Sequence, residues 1–248
     1  MIPLFRDMLV ALRFMTRLPF PAVSHTSGSL SRAAGFFPLI GLLVAAGAVG
    51  LNKILSGHVD RDLAALVILV YLVVITGGLH EDGLADSADG FGAGWNKEQI
   101  LAIMRDSRIG SYGAIALTLS LLTRYVLLSK LPIHSFSGYL IASHVLCRWT
   151  TLPLSFFLHP AREEDGHGAQ VTQRISAASL AFGTVFTLAI CYWALHKSGW
   201  IPVAAAVGVT LLSGLYYRSQ IGGVTGDCYG TTNQLTEIAV YFCGVLGG

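Results

Sequence analysis

The sequence predicts an all-α, polytopic integral membrane protein, and three observations support this class. Only 12% of the 248 residues are charged, about half of the roughly 25% typical of water-soluble domains. Hydrophobic residues make up 53% of the chain, and the mean hydropathy is +0.62. Seven stretches are apolar enough to be membrane spans, each of which needs about 20 such residues. We therefore expect one membrane-embedded domain over residues 1–248.

The expected architecture is a bundle of about seven transmembrane helices preceded by an amphipathic segment. Within the first 32 residues, Phe5, Leu9 and Leu12 lie on one side, as in a helix resting on a membrane surface. The predicted spans are Gly35–Leu55, Leu63–Leu79, Gly110–Leu131, Gly138–Leu158, Ala178–His196, Trp200–Tyr217 and Leu235–Gly247.

The basic residues predict which side of the membrane carries the loops. With seven spans, loops 80–109, 159–177 and 218–234 share a side with the N-terminus, and that side holds ten of the 16 Lys and Arg residues. Cytoplasmic loops are enriched in these residues, so we expect this side to face the cytoplasm. Membrane lipid is then an expected partner, and a net charge of +2 gives no reason to expect nucleic acid.

An acidic motif follows the second predicted span. Asp82, Asp86 and Asp89 are spaced i, i+4 and i+7, which on a helix places them within a sector of about 60°. Clustered carboxylates repel one another unless a cation joins them, and oxygen ligands favour Mg²⁺ or Mn²⁺. The alternative is a solvated acidic helix end. His80, next to the motif, is a candidate base, although a hydrogen-bonding role is equally compatible.

Two further segments suit phosphate groups. Arg105 and Arg108 flank Asp106 just before the third span, where guanidinium groups can bind phosphate oxygens or anchor lipid headgroups. In the Gly-rich segment 222–230, backbone N–H groups near Thr225 and Gly226 can hold an anion. Asp106 and Asp227 are the additional candidate metal ligands.

Two arginines lie within predicted spans. Arg148 is near the middle of its span, where a charge costs at least about 2.5 kcal/mol and is functional by default; it is a candidate substrate ligand. Arg124 is nearer a span end, and we expect its side chain to extend outward to the interface.

The blocks together resemble the cobalamin 5′-phosphate synthase family, the adenosylcobinamide-GDP ribazoletransferases. The most specific match is His80-Glu81-Asp82-Gly83-Leu84-Ala85-Asp86-Ser87-Ala88-Asp89-Gly90. Supporting segments, in the right order along the chain, are Phe14–Pro19, Phe37–Gly41, Met104–Gly110, Ala161–Glu164 and Gly222–Gly230. The chain departs from the pattern at Glu81, where an aliphatic residue is frequent, and at Gln234, where glutamate is common.

The resemblance implies a Mg²⁺-dependent transferase of late cobalamin synthesis in the bacterial cytoplasmic (inner) membrane. Its small-molecule substrates would be adenosylcobinamide-GDP and α-ribazole or α-ribazole 5′-phosphate, with GMP released. Metal would be held by Asp82, Asp86 and Asp89, with Asp106 or Asp227. Asp82 and His80 are the candidate catalytic residues, and Arg17, Arg105 and Arg108 the candidate phosphate ligands. The oligomeric state stays open.

Two other functions compete with this one. The nearest is another metal-dependent membrane phosphotransferase or prenyltransferase acting on a diphosphate. A transporter or ion channel is a more distant alternative, because most of the acidic residues lie in loops predicted on one side rather than within spans.

Overall fold

A computed structural model describes residues 3–20, 29–162 and 175–247 and contains helices joined by short loops. The helices of the N-terminal half are α1 (Pro3–Met15), α2 (Ser29–Ala33), α3 (Phe37–Leu55), α4 (Arg61–Thr76), α5 (Leu79–Ala93) and α6 (Lys97–Ile103). Those that follow are α7 (Ser111–Lys130), α8 (Phe136–Trp149), α9 (Thr151–Phe157), α10 (Ala177–Leu195), α11 (Trp200–Ile221) and α12 (Gly226–Leu246). The described residues form no β-sheet; two isolated bridges join loop residues.

Three segments are long and apolar enough to cross a membrane: Leu30–Leu55, Ser111–Lys130 and Ala177–Ile221, the last of which contains both α10 and α11. Helix α4 passes the same test only together with α5. The all-α membrane bundle is thus confirmed, whereas a count of seven spans is not. Every predicted span nevertheless coincides with a helix or, for Gly138–Leu158, with the pair α8 and α9.

Helices α8 and α12 form the centre of the bundle. Helix α12 packs against α5, α7, α8 and α11, and α8 also packs against α3 and α10. Every residue of α8 from Tyr139 to Arg148 is buried. Lipid-facing apolar side chains lie instead on the outer helices, such as Leu119 on α7, Val185 on α10 and Leu212 on α11. A polar group on α8 or α12 therefore meets protein rather than lipid.

A sharp bend between α4 and α5 creates the platform for the site. Gly77 and Gly78 have φ angles of 68° and 70°, a left-handed conformation that glycine adopts without steric cost. The chain turns by 85° there. Helix α5 carries five ionisable side chains in its 15 residues, so we treat α4 as the spanning segment and α5 as a polar helix outside it.

Candidate functional site

The site is built where α5 crosses α12. A methyl group added at Gly83 would lie 3.0 Å from the carbonyl oxygen of Asp227 and 3.3 Å from Cα of Gly230. The hydroxyl of Thr231 donates a hydrogen bond to the Gly83 carbonyl oxygen at 3.1 Å. Only glycine permits backbones to approach this closely. The crossing brings the acidic face of α5 to the first turn of α12.

Asp82, Asp86 and Asp227 lie near one another at this crossing, close enough for their charges to interact, although their oxygen atoms do not all lie within 4.8 Å of one another. Asp82 is exposed, and Asp86 and Asp227 are partly buried. Burial, followed by repulsion from Asp227, Asp82 and Asp89, raises the pKa of Asp86 to about 7. Helical spacing accounts for the proximity of Asp82 and Asp86, while the contribution of Asp227 comes from the fold. The cluster carries excess negative charge, as expected of a cation site.

Asp89 has a structural role at the next turn of α5. One of its carboxylate oxygens accepts a hydrogen bond from the backbone N–H of Gly110 at 2.7 Å, and the other accepts one from Gly113 at 2.9 Å. The side chain thus satisfies free N–H groups at the N-terminus of α7. Its role as a metal ligand stays a prediction, and these two hydrogen bonds would compete with it.

Arg162 is a site residue that the sequence analysis did not select. Backbone hydrogen bonds of 3.0 Å join Val224 to His159 and Ala161, which holds the 159–162 segment beside the start of α12. An Nη atom of Arg162 lies 3.8 Å from a carboxylate oxygen of Asp227. The same side chain donates to the Leu101 carbonyl oxygen at 3.1 Å. Its neighbours in the family segment, Glu163 and Glu164, lie outside the described residues.

The arginine-rich segment before α7 lies beside this cluster. Asp89 holds it at Gly110, and Met104 Sδ lies 4.0 Å from the Thr225 hydroxyl. Arg105 and Arg108 are exposed. Asp106 is engaged by Arg108 at 2.6 Å, and this hydrogen-bonded partner lowers the pKa of Asp106 to about 2. The contacts of the Asp106 carboxylate are with Arg108, whose backbone N–H and guanidinium both donate to it.

The remaining predicted ligands occupy three different places. Arg17 is exposed and packs over Gly77 at the start of α5. Thr225 is the N-cap of α12, accepting a 3.4 Å hydrogen bond from Cys228 N–H. Gly226 follows it, and a methyl group added there would meet no atom within 4 Å. Arg148 is 1% exposed, which puts it inside the bundle rather than at the surface.

His80 lies in the wall of a cavity next to the acidic cluster. The cavity has a volume of about 250 Å³, and Asp82, Asp227 and Gly226 also line it. Burial and the nearby Arg148 lower the pKa of His80 well below its ordinary value, so the imidazole is neutral at neutral pH. Its Nε2 is buried without a hydrogen-bond partner among the described residues. A neutral imidazole can accept a proton or a hydrogen bond, but the lowered pKa makes His80 a weak base.

A buried ionic network lies directly beneath α5. Arg124 Nη1 is 2.7 Å from a Glu81 carboxylate oxygen, and Arg124 Nε is 3.0 Å from one of Glu237. The same Nη1 donates to Gln234 Oε1 at 2.9 Å. Arg124 is 1% exposed, so the expectation that it extends outward to the interface is wrong. Two carboxylates from other helices hold it in the interior.

The two departures from the family pattern contact each other in this network. Gln234 Nε2 donates to Glu81 Oε1 at 3.1 Å, and both residues are bonded to the guanidinium of Arg124. In this chain Glu81 therefore supplies the carboxylate that pairs with Arg124, and the side chain at position 234 lies close enough to bind the same guanidinium nitrogen.

A second buried group has the composition of a metal site but not its electrostatics. The ligand atoms of His144, Cys147 and Glu237 lie within 4.8 Å of one another, the one such group among the described residues. Arg148 Nη1 lies 3.0 Å from His144 Nδ1 and 3.3 Å from Cys147 Sγ, while Arg124 is bonded to Glu237. Two guanidinium groups already neutralise this cluster, so a cation would be repelled.

The fold and site define a class of protein: an all-α membrane protein in which an acidic helix crosses the N-terminus of a neighbouring helix. Comparison with known sequences gives the family. The chain belongs to the family described as cobalamin-5-phosphate synthase, which matches residues 7–245. It is an enzyme of the transferase class.

Several curated relatives carry the name adenosylcobinamide-GDP ribazoletransferase. The relative from Shewanella woodyi is 37% identical over 239 residues, covering 94% of this chain and 92% of the relative. That from Ralstonia pickettii is 36% identical, covering 93% and 91%, and that from Leptospira interrogans is 37% identical, covering 92% and 90%. No solved structure matches the chain.

Proposed function

We propose that the protein is a Mg²⁺-dependent transferase that joins adenosylcobinamide-GDP to α-ribazole or its 5′-phosphate and releases GMP. The observation that carries the proposal is the electrostatic proximity of Asp82 and Asp86 on α5 to Asp227 on α12, in a chain whose relatives are named for this reaction. We further propose that the protein lies in the bacterial inner membrane with this site facing the cytoplasm, as the distribution of basic residues suggests.

The carboxylates suit a divalent cation. They offer oxygen ligands only, and Mg²⁺ binds through one or two carboxylates together with phosphate oxygens of the substrate. The pKa of Asp86 is raised by burial and then by the negative charges of Asp227, Asp82 and Asp89, and Arg162 offsets only part of this effect. Asp82, Asp86 and Asp227 would hold the ion, with Asp89 and Asp106 as weaker candidates. Bound Mg²⁺ would neutralise the charge that develops on the leaving phosphate.

The side chains of the chain itself would bind and orient the diphosphate. Arg105 and Arg108 are exposed on the segment tied to α5, and Arg17 lies at its beginning. Planar guanidinium groups bind phosphate oxygens in pairs. Arg162, held beside Asp227, is a further phosphate ligand in this proposal.

The reaction transfers one substituted phosphoryl group. A ribose hydroxyl of α-ribazole attacks the phosphorus on the cobinamide side, a new P–O bond forms, and the P–O bond to GMP breaks. His80 or an Asp82 oxygen accepts the hydroxyl proton. Both lie in the wall of the same cavity, and His80 is held neutral by its surroundings.

The test is GMP release by purified, detergent-solubilised protein. We expect release to require adenosylcobinamide-GDP, α-ribazole and Mg²⁺ together, and to fall by orders of magnitude in Asp82→Ala. Asp62→Ala is the matched control, because Asp62 is an exposed carboxylate at the opposite end of α4. Full turnover by Asp82→Ala at saturating Mg²⁺ would remove Asp82 from the mechanism. No GMP release, together with consumption of a lipid-linked diphosphate followed through its own leaving group, would favour the competing transferase classes.

A further inference from the structure

The cavity beside the acidic cluster has walls of two kinds. Its apolar wall consists of Phe14 and Met15 from α1, Phe37 from α3, Leu79 from α5 and Tyr229 from α12. The rings of Phe14 and Phe37 are nearly parallel, at 13°, with centroids 5.8 Å apart. Its polar wall includes Asp82 and Asp227, which belong to the proposed metal site. The lining of this cavity therefore combines apolar and aromatic side chains with two carboxylates.

The size of the cavity limits what can enter it. A volume of about 250 Å³ is below the roughly 300 Å³ at which pockets for drug-sized ligands begin. A corrin macrocycle is several times too large. A single fused bicyclic ring system fits, with little space for anything more.

The chemistry of the lining separates two candidate bases. The substrates of the proposed reaction contain guanine and a dimethylated benzimidazole, which are both flat and bicyclic. Guanine has donors and acceptors along its edges, and any of them that face Phe14 and Leu79 rather than the polar side chains would be left unpaired, which is costly. The benzimidazole has methyl groups at its outer edge and prefers such walls.

One buried polar atom marks the same place. His80 lines the cavity, and its Nε2 has no hydrogen-bond partner among the described residues. Buried polar atoms are normally paired. The benzimidazole nucleoside brings a single free ring nitrogen and ribose hydroxyl groups, any of which can pair with an imidazole nitrogen.

From the lining, the size and the unpaired nitrogen, we infer that this cavity binds the aromatic base of the nucleoside acceptor and so places the ribose beside Asp82 and Asp227. The inference rests on the proposed function and adds to it the subsite for one substrate. It also assigns specificity to α1, because Phe14 and Met15 supply part of the wall. The corrinoid and guanine moieties bind outside the cavity.

Gly226 provides a way to fill the cavity without straining the helix. It lines the cavity, and a methyl group added there would meet no atom within 4 Å. A larger side chain such as that of Gly226→Val would occupy the space meant for the ligand. Phe14→Ala makes the opposite change and enlarges the cavity.

The first experiment measures the KM of each substrate separately. Phe14→Ala should raise the KM for α-ribazole about tenfold, since it removes an aromatic contact, and leave the KM for adenosylcobinamide-GDP within about twofold. Phe182→Ala is the matched control, because Phe182 is half exposed and packs against Phe36, away from the cavity. If Phe14→Ala instead raises the KM for adenosylcobinamide-GDP, the subsite belongs to the other substrate.

The second experiment measures binding without turnover, so that it does not depend on the proposed reaction. In calorimetry on the purified wild-type protein, free dimethylbenzimidazole should compete with α-ribazole, and guanosine should not. The Gly226→Val variant should bind neither the free base nor α-ribazole. Displacement of α-ribazole by guanosine, or no effect of Gly226→Val, would overturn the inference. Binding of the base by a protein that releases no GMP would keep the subsite and reject the proposed function.

Discussion

Replacing Arg124 by methionine tests the buried network beneath the acidic helix. The change removes a guanidinium that is bonded to Glu81 at 2.7 Å and to Glu237 at 3.0 Å. Both carboxylates are almost fully buried, with exposures of 7% and 2%, so neither can recover its hydration. Removing one partner of a buried ion pair costs about 3–5 kcal/mol. Because one arginine here serves two carboxylates, we expect the upper end of that range.

The expected loss of stability is large enough to measure by thermal unfolding in detergent, with tryptophan fluorescence as the signal. For a chain of this size each kcal/mol lowers Tm by about 2–4 °C, so Arg124→Met should melt about 10–20 °C below the wild type. Lys130→Met is the control, since it removes an exposed cation from the end of the same helix. Adding Glu81→Gln to Arg124→Met should restore part of the loss by removing one stranded carboxylate. An Arg124→Met protein that melts together with the Lys130→Met control would refute the reasoning.

Three other predictions concern helix α5 and its contacts with α7 and α12. Burial and neighbouring carboxylates raise the pKa of Asp86 from an ordinary 3.8 to about 7 in the folded protein, so the folded state binds this proton more tightly than the unfolded state does. In EDTA, the Tm should therefore fall as the pH rises from about 4 through 7, and Asp86→Asn should make the Tm less dependent on pH. Asp89→Ala should lower the free energy of unfolding by about 1–2 kcal/mol even in EDTA, because two N–H groups at the start of α7 lose their acceptor. If the Tm of this variant is unchanged, Asp89 has no structural role and only the proposed role in metal binding remains. Gly83→Val should push α5 away from α12, because the added Cβ would lie 3.0 Å from the Asp227 carbonyl oxygen. We expect a large loss of GMP release with a small fall in Tm, and normal turnover would contradict the close crossing.

The positions of the helices could be predicted from the sequence because apolar stretches are local. Helix α12 is an instructive exception, as it begins at Gly226 rather than at the predicted Leu235. Its first half contains Asn233 and Gln234, which hydropathy counts as non-spanning. Both are buried in protein, and Gln234 is hydrogen-bonded to Ser120, Arg124 and Glu81. Hydropathy averaged over a window of residues cannot distinguish a helix surrounded by other helices from one surrounded by lipid.

Part of the candidate site could be predicted from the sequence for the same reason. The spacing of Asp82, Asp86 and Asp89 is a helical pattern and can be read locally. The partners of Arg124 lie 43 and 113 residues away along the chain, and no local rule joins them. Arg162 was missed because its pairing with Asp227 depends on the backbone bridge between Pro160 and Val224. For Arg162, its place in a segment shared with the family was the signal available.

The most direct test of the central claim, that carboxylates on α5 and α12 close on one divalent cation, is Mn²⁺ binding followed by electron paramagnetic resonance. Wild type, Asp82→Asn and Asp227→Asn should be compared, with Asp62→Asn as the control. We predict that Asp82→Asn and Asp227→Asn each weaken Mn²⁺ binding at least about tenfold, since even loss of an outer-shell partner of a metal costs about 10–100-fold, and that the control binds normally. Wild-type Mn²⁺ affinity in both Asp82→Asn and Asp227→Asn would contradict a shared site.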